Sequence, residues 1–127
     1  MKKLFLLFSH KLTKQQVADA KKNLGVEEFV YLPTDLQKLW SNIPPSLAEL
    51  STYLAPMVEY IDSYAKTEDI FLVQGDFGAC YDIVSYLKDN GFDAYYATTS
   101  RKTVEKLVDG KVVKTSVFEH VRFRKYG

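Results

Sequence analysis

The stretch Asp69-Ile-Phe-Leu-Val-Gln-Gly-Asp-Phe-Gly-Ala79 constrains the fold more than any other part of the chain. A short apolar run stops at Gln74-Gly75-Asp76-Phe77-Gly78, and an amphipathic segment starts at once. That order reads as a buried strand, a tight glycine loop and a helix N-terminus. Gly75 and Gly78 are expected to allow positive φ and to let a ligand approach the backbone. A side chain added at Gly75 is therefore expected to block a ligand and leave the apolar core intact. The first N–H groups of the helix lack intrahelical acceptors, so the loop predicts an anion site, with phosphate as the simplest occupant. The start of the chain repeats the pattern, because Leu4-Phe-Leu-Leu-Phe8 runs into Ser9-His10-Lys11-Leu12-Thr13 and then a helix. Two such loops at strand ends in a short α/β chain predict a common crevice.

The remaining segments alternate in the same way. Thr13-Lys-Gln-Gln16 spells a capping box, Val17, Ala20 and Leu24 follow at helical spacing, and Gly25 ends the helix. Phe29-Val-Tyr-Leu32 reads as a strand stopped by Pro33, and Thr34-Asp-Leu-Gln37 as a capping box for a short helix through Leu36, Leu39 and Trp40. Ser46-Leu-Ala-Glu49 predicts a long helix carrying Leu47, Leu50, Leu54, Val58 and Ile61 on one face, kinked or divided by Pro56. Cys80, Ile83, Val84 and Leu87 mark a helix closed by Asn90-Gly91, and Ala94–Ala97 a fourth strand running into a polar loop. Asp109-Gly110, between Val104–Val108 and Lys111–Val113, is a strong hairpin signal. Strand–helix alternation ending in a hairpin predicts an α/β fold with a mainly parallel central sheet and a C-terminal β-hairpin. Residues 1–127 read as one domain, without repeat or linker.

A formal charge of +1 excludes a nucleic-acid binder driven by bulk electrostatics, so no DNA or long RNA partner is expected. The single Cys80 excludes an internal disulfide framework and is best read as a small core residue in a reducing compartment. Met1-Lys2-Lys3 with Leu4–Phe8 mimics a signal peptide, but its apolar run falls short of the roughly 7–15 residues required. No stretch approaches the ~20 apolar residues of a membrane span, so a cytoplasmic protein without membrane association is expected.

Four segments are expected to reach the crevice: Ser9–Thr13, Gln74–Gly78, Thr98–Lys102 and His120–Tyr126. His10, next to a buried strand, is the candidate for proton transfer, against a plain capping or packing role. Ser9 either hydrogen-bonds a phosphate or holds a helix end, and Lys11 either neutralises phosphate or is solvated. Gln74, Gly75, Asp76, Phe77 and Gly78 form the candidate cradle, although the glycines also suit an ordinary turn and Asp76 a helix cap. Thr98, Thr99, Ser100, Arg101 and Lys102 suit a phosphodiester, with Arg101 offering bidentate hydrogen bonds, or equally a polar turn. His120, Arg122, Arg124 and Lys125 are expected on one strand face, opposite Val121 and Phe123, as a phosphate-contacting stripe or a charged protective edge. Two histidines and one cysteine at positions 10, 120 and 80 have no metal-site spacing, and no cofactor motif is present. Asp76-Phe77-Gly78 matches the kinase magnesium motif by accident, since the accompanying catalytic and glycine-rich loops are missing.

Leu4–Thr13, Leu39-Trp-Ser-Asn-Ile-Pro-Pro45, Val73–Ala79, Tyr96-Ala-Thr-Thr99 with Arg101, and Phe118–Tyr126 together resemble a family of small proteins of type III CRISPR loci. These are the stand-alone CARF-like proteins, several of which are ring nucleases. The resemblance covers almost the whole chain. It implies a Rossmann-like, CARF-like three-layer fold, a homodimer, and a cyclic oligoadenylate, usually cyclic tetra-adenylate, bound across the dimer cleft. It also implies metal-independent cleavage by a ribose 2′-OH, giving a 2′,3′-cyclic phosphate and ending the antiviral signal. The resemblance supplies no catalytic list, so His10, Ser9 and Arg101 are assigned from position and chemistry. A non-catalytic sensor or sponge needs the same cleft, and a structural subunit of the CRISPR machinery needs none.

Overall fold

Leu4–Leu7 and Ile70–Val73 present only apolar side chains, and every one of them is buried. Strands covered on both faces belong at the centre of a parallel sheet. The computed structural model, which describes residues 1–127, places them there. The elements are β1 (Lys3–Leu7), α1 (Lys14–Asn23), β2 (Glu28–Tyr31), α2 (Thr34–Ser41), α3 (Ala55–Tyr64), β3 (Ile70–Val73), α4 (Phe77–Asp89), β4 (Asp93–Val108) and β5 (Lys111–Lys125). The five-stranded sheet runs β2-β1-β3-β4-β5. Its first four strands are parallel, and β5 returns antiparallel along β4.

Alternation along each strand divides the core between the two faces of the sheet. Phe5, Leu7, Phe71 and Val73 pack with Leu36 and Trp40 of α2, Met57 and Ile61 of α3, and Ile83 and Leu87 of α4. Leu4, Leu6, Ile70 and Leu72 pack with Ala20 of α1 and with Phe123. Helices on both faces of a mainly parallel sheet give the mixed α/β fold that the alternation predicts. At the N-terminal edge, the buried Asp69 carboxylate accepts the N–H groups of Lys3 at 3.0 Å and Lys66 at 2.8 Å, joining β1 to the turn before β3.

Local signals held where the chain had no competing demand. Thr13 and Gln16 form the reciprocal capping box at α1, and Gly25 follows the helix at φ +67°. Asp109 and Gly110 both have positive φ, 51° and 75°, as a two-residue type I′ hairpin turn requires.

Three expectations fail. Ser46–Leu50 is irregular and Ser51–Leu54 a turn, so the long helix is absent, and α3 begins at Ala55 with Pro56 in its first turn. A proline there forfeits no intrahelical hydrogen bond, whereas within a longer helix it would. Thr34 lies inside α2 behind Pro33, and the Gln37 side chain donates to the Phe8 carbonyl at 2.9 Å, so that capping box does not form. Finally, Thr98–Lys102 is strand, not loop: β4 continues unbroken to Val108, paired with β5 throughout.

Candidate functional site

β1 sits between β2, reached through α1, and β3, whose chain continues to β4 on the far side. The strand order therefore reverses between β1 and β3, and in open α/β sheets a crevice opens beyond the strand C-termini at such a point. Leu7 pairs with Val73, and the Gln74 N–H donates to the Leu7 carbonyl at 3.0 Å. This brings Ser9–His10 and Gln74–Asp76 side by side at one sheet edge.

Neither loop is loose. Gln74 is a three-way clamp: its backbone holds β1, its carbonyl accepts the Trp40 indole N–H at 2.9 Å, and its side-chain oxygen accepts the Ala97 N–H at 2.5 Å. Ser9 Oγ accepts from Ser41 Oγ at 3.0 Å, and the Leu12 N–H donates to the Tyr31 hydroxyl at 3.2 Å. His10 is exposed, its ring edge-on to Phe8 at 5.6 Å, and Lys11 is exposed beside it.

The two glycines are not there for positive φ, because the glycines with positive φ are Gly25, Gly91, Gly110 and Gly127. A Cβ at Gly75 would lie 2.9 Å from Trp40 Nε1, so the missing side chain makes room for the buried indole. A branch at Gly75 would therefore disturb the core, contrary to the expectation from sequence. Gly78 lies in the first turn of α4, where an added Cβ would make ordinary contacts of 3.4 and 3.5 Å with Asp76 and Leu50. Asp76 is the N-cap of α4, its carboxylate accepting the Ala79 N–H at 3.0 Å. Thr13 caps α1 in the same manner, so both helix N-termini nearest the crevice already hold a side-chain acceptor.

Phe77 follows Asp76 and is 95% exposed, with Tyr81 one turn later also exposed. Two clefts adjoin this pair. One, of about 380 Å³, lies between the Ile43–Leu50 segment and Asp76, Gly78, Tyr81 and Asp82. The other, of about 350 Å³ and mostly apolar, is lined by Phe77, Cys80, Tyr81, Val84 and Tyr126 among others. Each falls within the size range of small-molecule sites. Burial and the nearby Asp76 charge push the Cys80 thiol up, so it is no activated nucleophile. Tyr126 donates to the Val73 carbonyl at 2.7 Å, and its hydroxyl is pushed up to about 12, mainly by burial and then by Cys80 and Tyr96.

The other two candidate segments part company with this edge. Thr98 lies beside Ala97, with its hydroxyl donating to the Arg122 carbonyl at 2.9 Å and accepting the Arg122 N–H at 3.2 Å. Thr99, Ser100, Arg101 and Lys102 then rise along β4. At about 3.4 Å per residue, Arg101 stands about 14 Å beyond Ala97 along β4. Its Nε donates to Ser116 Oγ at 3.0 Å, and Lys102 pairs with Glu119 at 3.0 Å.

The basic stripe of alternating side chains does not exist as expected. An irregularity at Thr98/Thr99 leaves Val121 without a register partner in β4 and resets the faces of β5. His120 turns inward, with its side chain 4% exposed, and its Nε2 lies 2.6 Å from Asp19 Oδ2. Its Nδ1 is buried without a partner. Burial raises the Asp19 carboxyl, but hydrogen bonds from Asn23 and His120 and the nearby His120 and Arg122 charges outweigh that and hold it below the usual value. Arg124 donates to the Tyr96 hydroxyl at 2.9 Å over the tyrosine ring, and Lys125 pairs with Asp93 at 3.2 Å. No group of three or more His, Cys, Asp or Glu side chains is placed to hold a metal ion.

Sequence reasoning missed the supports of the loops, Gln37, Ser41, Tyr31 and the indole of Trp40, together with the Asp19–His120 pair. Only Trp40 left a signal, since the one tryptophan of the chain is also the bulkiest partner for a glycine.

A family model described as "Uncharacterized protein MJ1673 family" matches residues 2–124. The chain belongs to the MJ1673 family. Its similarity to "Uncharacterized protein MJ1673" of Methanocaldococcus jannaschii is 50% identity over 126 residues, covering 99% of this chain and 98% of that one. No solved structure matches the chain. Membership of the MJ1673 family thus runs through every loop of the candidate site, and both proteins share one length scale.

Proposed function

We propose that this chain is a Rossmann-like, CARF-like ring nuclease that binds cyclic tetra-adenylate and opens it without a metal. The observation that carries the reading is the meeting of Ser9–His10 with Gly75–Phe77 at the strand-order reversal, beside a fully presented aromatic ring. Phe77 offers a stacking face for an adenine, and the adjoining clefts have room for a nucleotide. In the reaction, a ribose 2′-oxygen forms a bond to its neighbouring phosphorus as the bond to the 5′-oxygen breaks. The products carry a 2′,3′-cyclic phosphate and a 5′-hydroxyl. His10 takes or returns a proton, Ser9 positions a phosphate oxygen, and Lys11 with backbone N–H groups at the start of α4 stabilises the developing charge. The other ligand-contacting residues are Gln74, Asp76, Gly78 and Thr98. Arg101 and its neighbours on β4, with Arg122 and Arg124, would serve the crevice of a partner copy in a homodimer acting in the cytoplasm. No helix is long and apolar enough to cross a membrane.

One observation favours a second reading, binding without efficient cleavage. The His10 ring packs against that of Phe8 at 5.6 Å and makes no hydrogen bond that would orient its imidazole. A sponge or sensor needs no such bond. Purified protein incubated with cyclic tri-, tetra- and hexa-adenylate in EDTA, followed by chromatography, tests both readings. Linear products support the nuclease, retention of an intact ring supports the sponge, and neither outcome removes nucleotide binding altogether.

A further inference from the structure

Asp19 and Asn23 stand one turn apart on α1, so their side chains share a face, and the Asn23 amide donates to Asp19 Oδ1 at 2.6 Å. The other carboxylate oxygen, Oδ2, lies 2.6 Å from His120 Nε2. Burial by itself would raise the Asp19 carboxyl. The two hydrogen bonds and the His120 and Arg122 charges bring it below its usual value, so it is ionised at neutral pH. The His120 side chain is 4% exposed and its Nδ1 is buried without a partner, a cost that folded chains rarely carry without a purpose. The imidazole fixes a carboxylate that lines a cleft of about 450 Å³, bounded by Asp19, Asn23, Leu24, Val121, Arg122 and Phe123. The irregularity that leaves Val121 unmatched in β5 brings Val121 and Arg122 together on its wall. Arg122 is held through its backbone, whose N–H and carbonyl both engage Thr98, while its guanidinium makes no hydrogen bond or ion pair. Asp19 and Arg122 thus bring opposite charges to one cleft without pairing with each other.

We infer that this cleft binds a small zwitterion of the aliphatic α-amino acid class, with its ammonium on Asp19, its carboxylate on Arg122 and its side chain against Leu24, Val121 and Phe123. Each Asp19 oxygen has one hydrogen bond within the fold and keeps a lone pair for an ammonium donor. The planar fork of Arg122 suits a carboxylate, to which it can donate two parallel hydrogen bonds. The charges select against simpler ligands. A phosphate or a plain carboxylate gains Arg122 but meets the negative Asp19, and a bare amine meets the positive Arg122. A ligand with both charges on one short frame satisfies both groups. A metal ion lacks a ligand set, since no three His, Cys, Asp or Glu side chains converge. The cleft shares no residue with the β1–β3 edge or with the two clefts beside Phe77. The functional reading gives Arg122 to the crevice of a partner copy, whereas this site is tested without nucleotide, so either can fail alone.

The test is calorimetric titration of the purified full chain with leucine, beside isocaproate, which lacks the ammonium, and isoamylamine, which lacks the carboxylate. Leucine is expected to bind at least about 10-fold more tightly than either, the smallest loss expected on removing a charge-assisted hydrogen bond. Arg122→Gln is expected to weaken leucine binding by at least about 10-fold as well. Asp19→Asn should do the same, but it also loosens α1 from β5, so the exposed Arg122 carries the decision. Trp40 emission and far-UV circular dichroism verify that both variants stay folded. A wild type that binds neither leucine nor any other aliphatic α-amino acid at millimolar concentration overturns the site. Leucine bound no more tightly than isocaproate or isoamylamine overturns it equally, as does an Arg122→Gln protein with the wild-type affinity for leucine.

Discussion

Replacing Gly75 with alanine tests why the loop has its shape. The new methyl would begin 2.9 Å from Trp40 Nε1 and 3.2 Å from Cε2, and the indole is buried with no free side to retreat to. Overpacking of this kind costs about 1–3 kcal/mol. Moving the indole also weakens its hydrogen bond to the Gln74 carbonyl, a further loss of about 1 kcal/mol. The reduced freedom of the unfolded chain returns about 0.5 kcal/mol. Gly75→Ala should therefore lose about 1.5–3.5 kcal/mol, seen in urea unfolding followed by fluorescence. The protein has one tryptophan, so the emission comes from the residue under strain. Gly78→Ala is the internal control: its Cβ meets only ordinary contacts, and an alanine in a helix gains up to about 1 kcal/mol over glycine. The reasoning is refuted if Gly75→Ala unfolds within 0.5 kcal/mol of wild type, a margin of about the error of such measurements, with unchanged emission.

Asp69→Ala should destabilise by about 2 kcal/mol in the same assay, because it strands the N–H groups of Lys3 and Lys66. Asp19 has a lowered carboxyl pKa in the fold, so its contribution is present above the ordinary value of 3.8 and is lost as pH falls through the lower folded value. Acid unfolding curves should thus be shallower in that range for Asp19→Asn than for wild type, and identical slopes would contradict the pairing with His120. His10→Ala should slow ring opening about 10²-fold in single-turnover assays with little change in affinity, and a wild-type rate would end its proton-transfer role.

The parts of the fold set by local chemistry were legible in the chain. Apolar runs placed β1 and β3, Thr13 and Gly25 bounded α1, and Asp109-Gly110 closed the hairpin. What stayed hidden depended on contacts distant in sequence. The Ser46–Glu49 capping box lost to Pro56, whose best place is a first turn, and the Thr34–Gln37 box lost Gln37 to the Phe8 carbonyl. The polar run Thr98–Lys102 looked like a loop because strands facing water on both sides have no apolar periodicity. One unmatched residue, Val121, was enough to turn His120 from the expected basic face toward Asp19. At the candidate site the positions of Ser9, His10 and Gly75 were readable, but the role of Gly75 was not, since only the fold brings Trp40 beneath it.

The capped helices have a consequence for charge. Asp76 and Thr13 each fill one acceptor position at the N-termini of α4 and α1, and Asp76 brings a negative charge with it. A helix N-terminus attracts anions through N–H groups that have no partner, so capping removes part of that attraction. A phosphate at the β1–β3 edge would draw mainly on side-chain cations, and within one chain Lys11 is the nearest of these in sequence to either loop. Arg101 and Lys102 lie farther along β4 on opposite faces of the β4–β5 ribbon, each already engaged, with Ser116 and with Glu119. In the proposed homodimer the cations of one copy would be supplied to the crevice of the other, so a chain that sediments as a monomer would hold a cyclic phosphodiester weakly. Lys11→Ala should then lower the affinity for cyclic tetra-adenylate more than Lys102→Ala does, and equal losses would place the ligand nearer the outer β4–β5 hairpin than the β1–β3 edge.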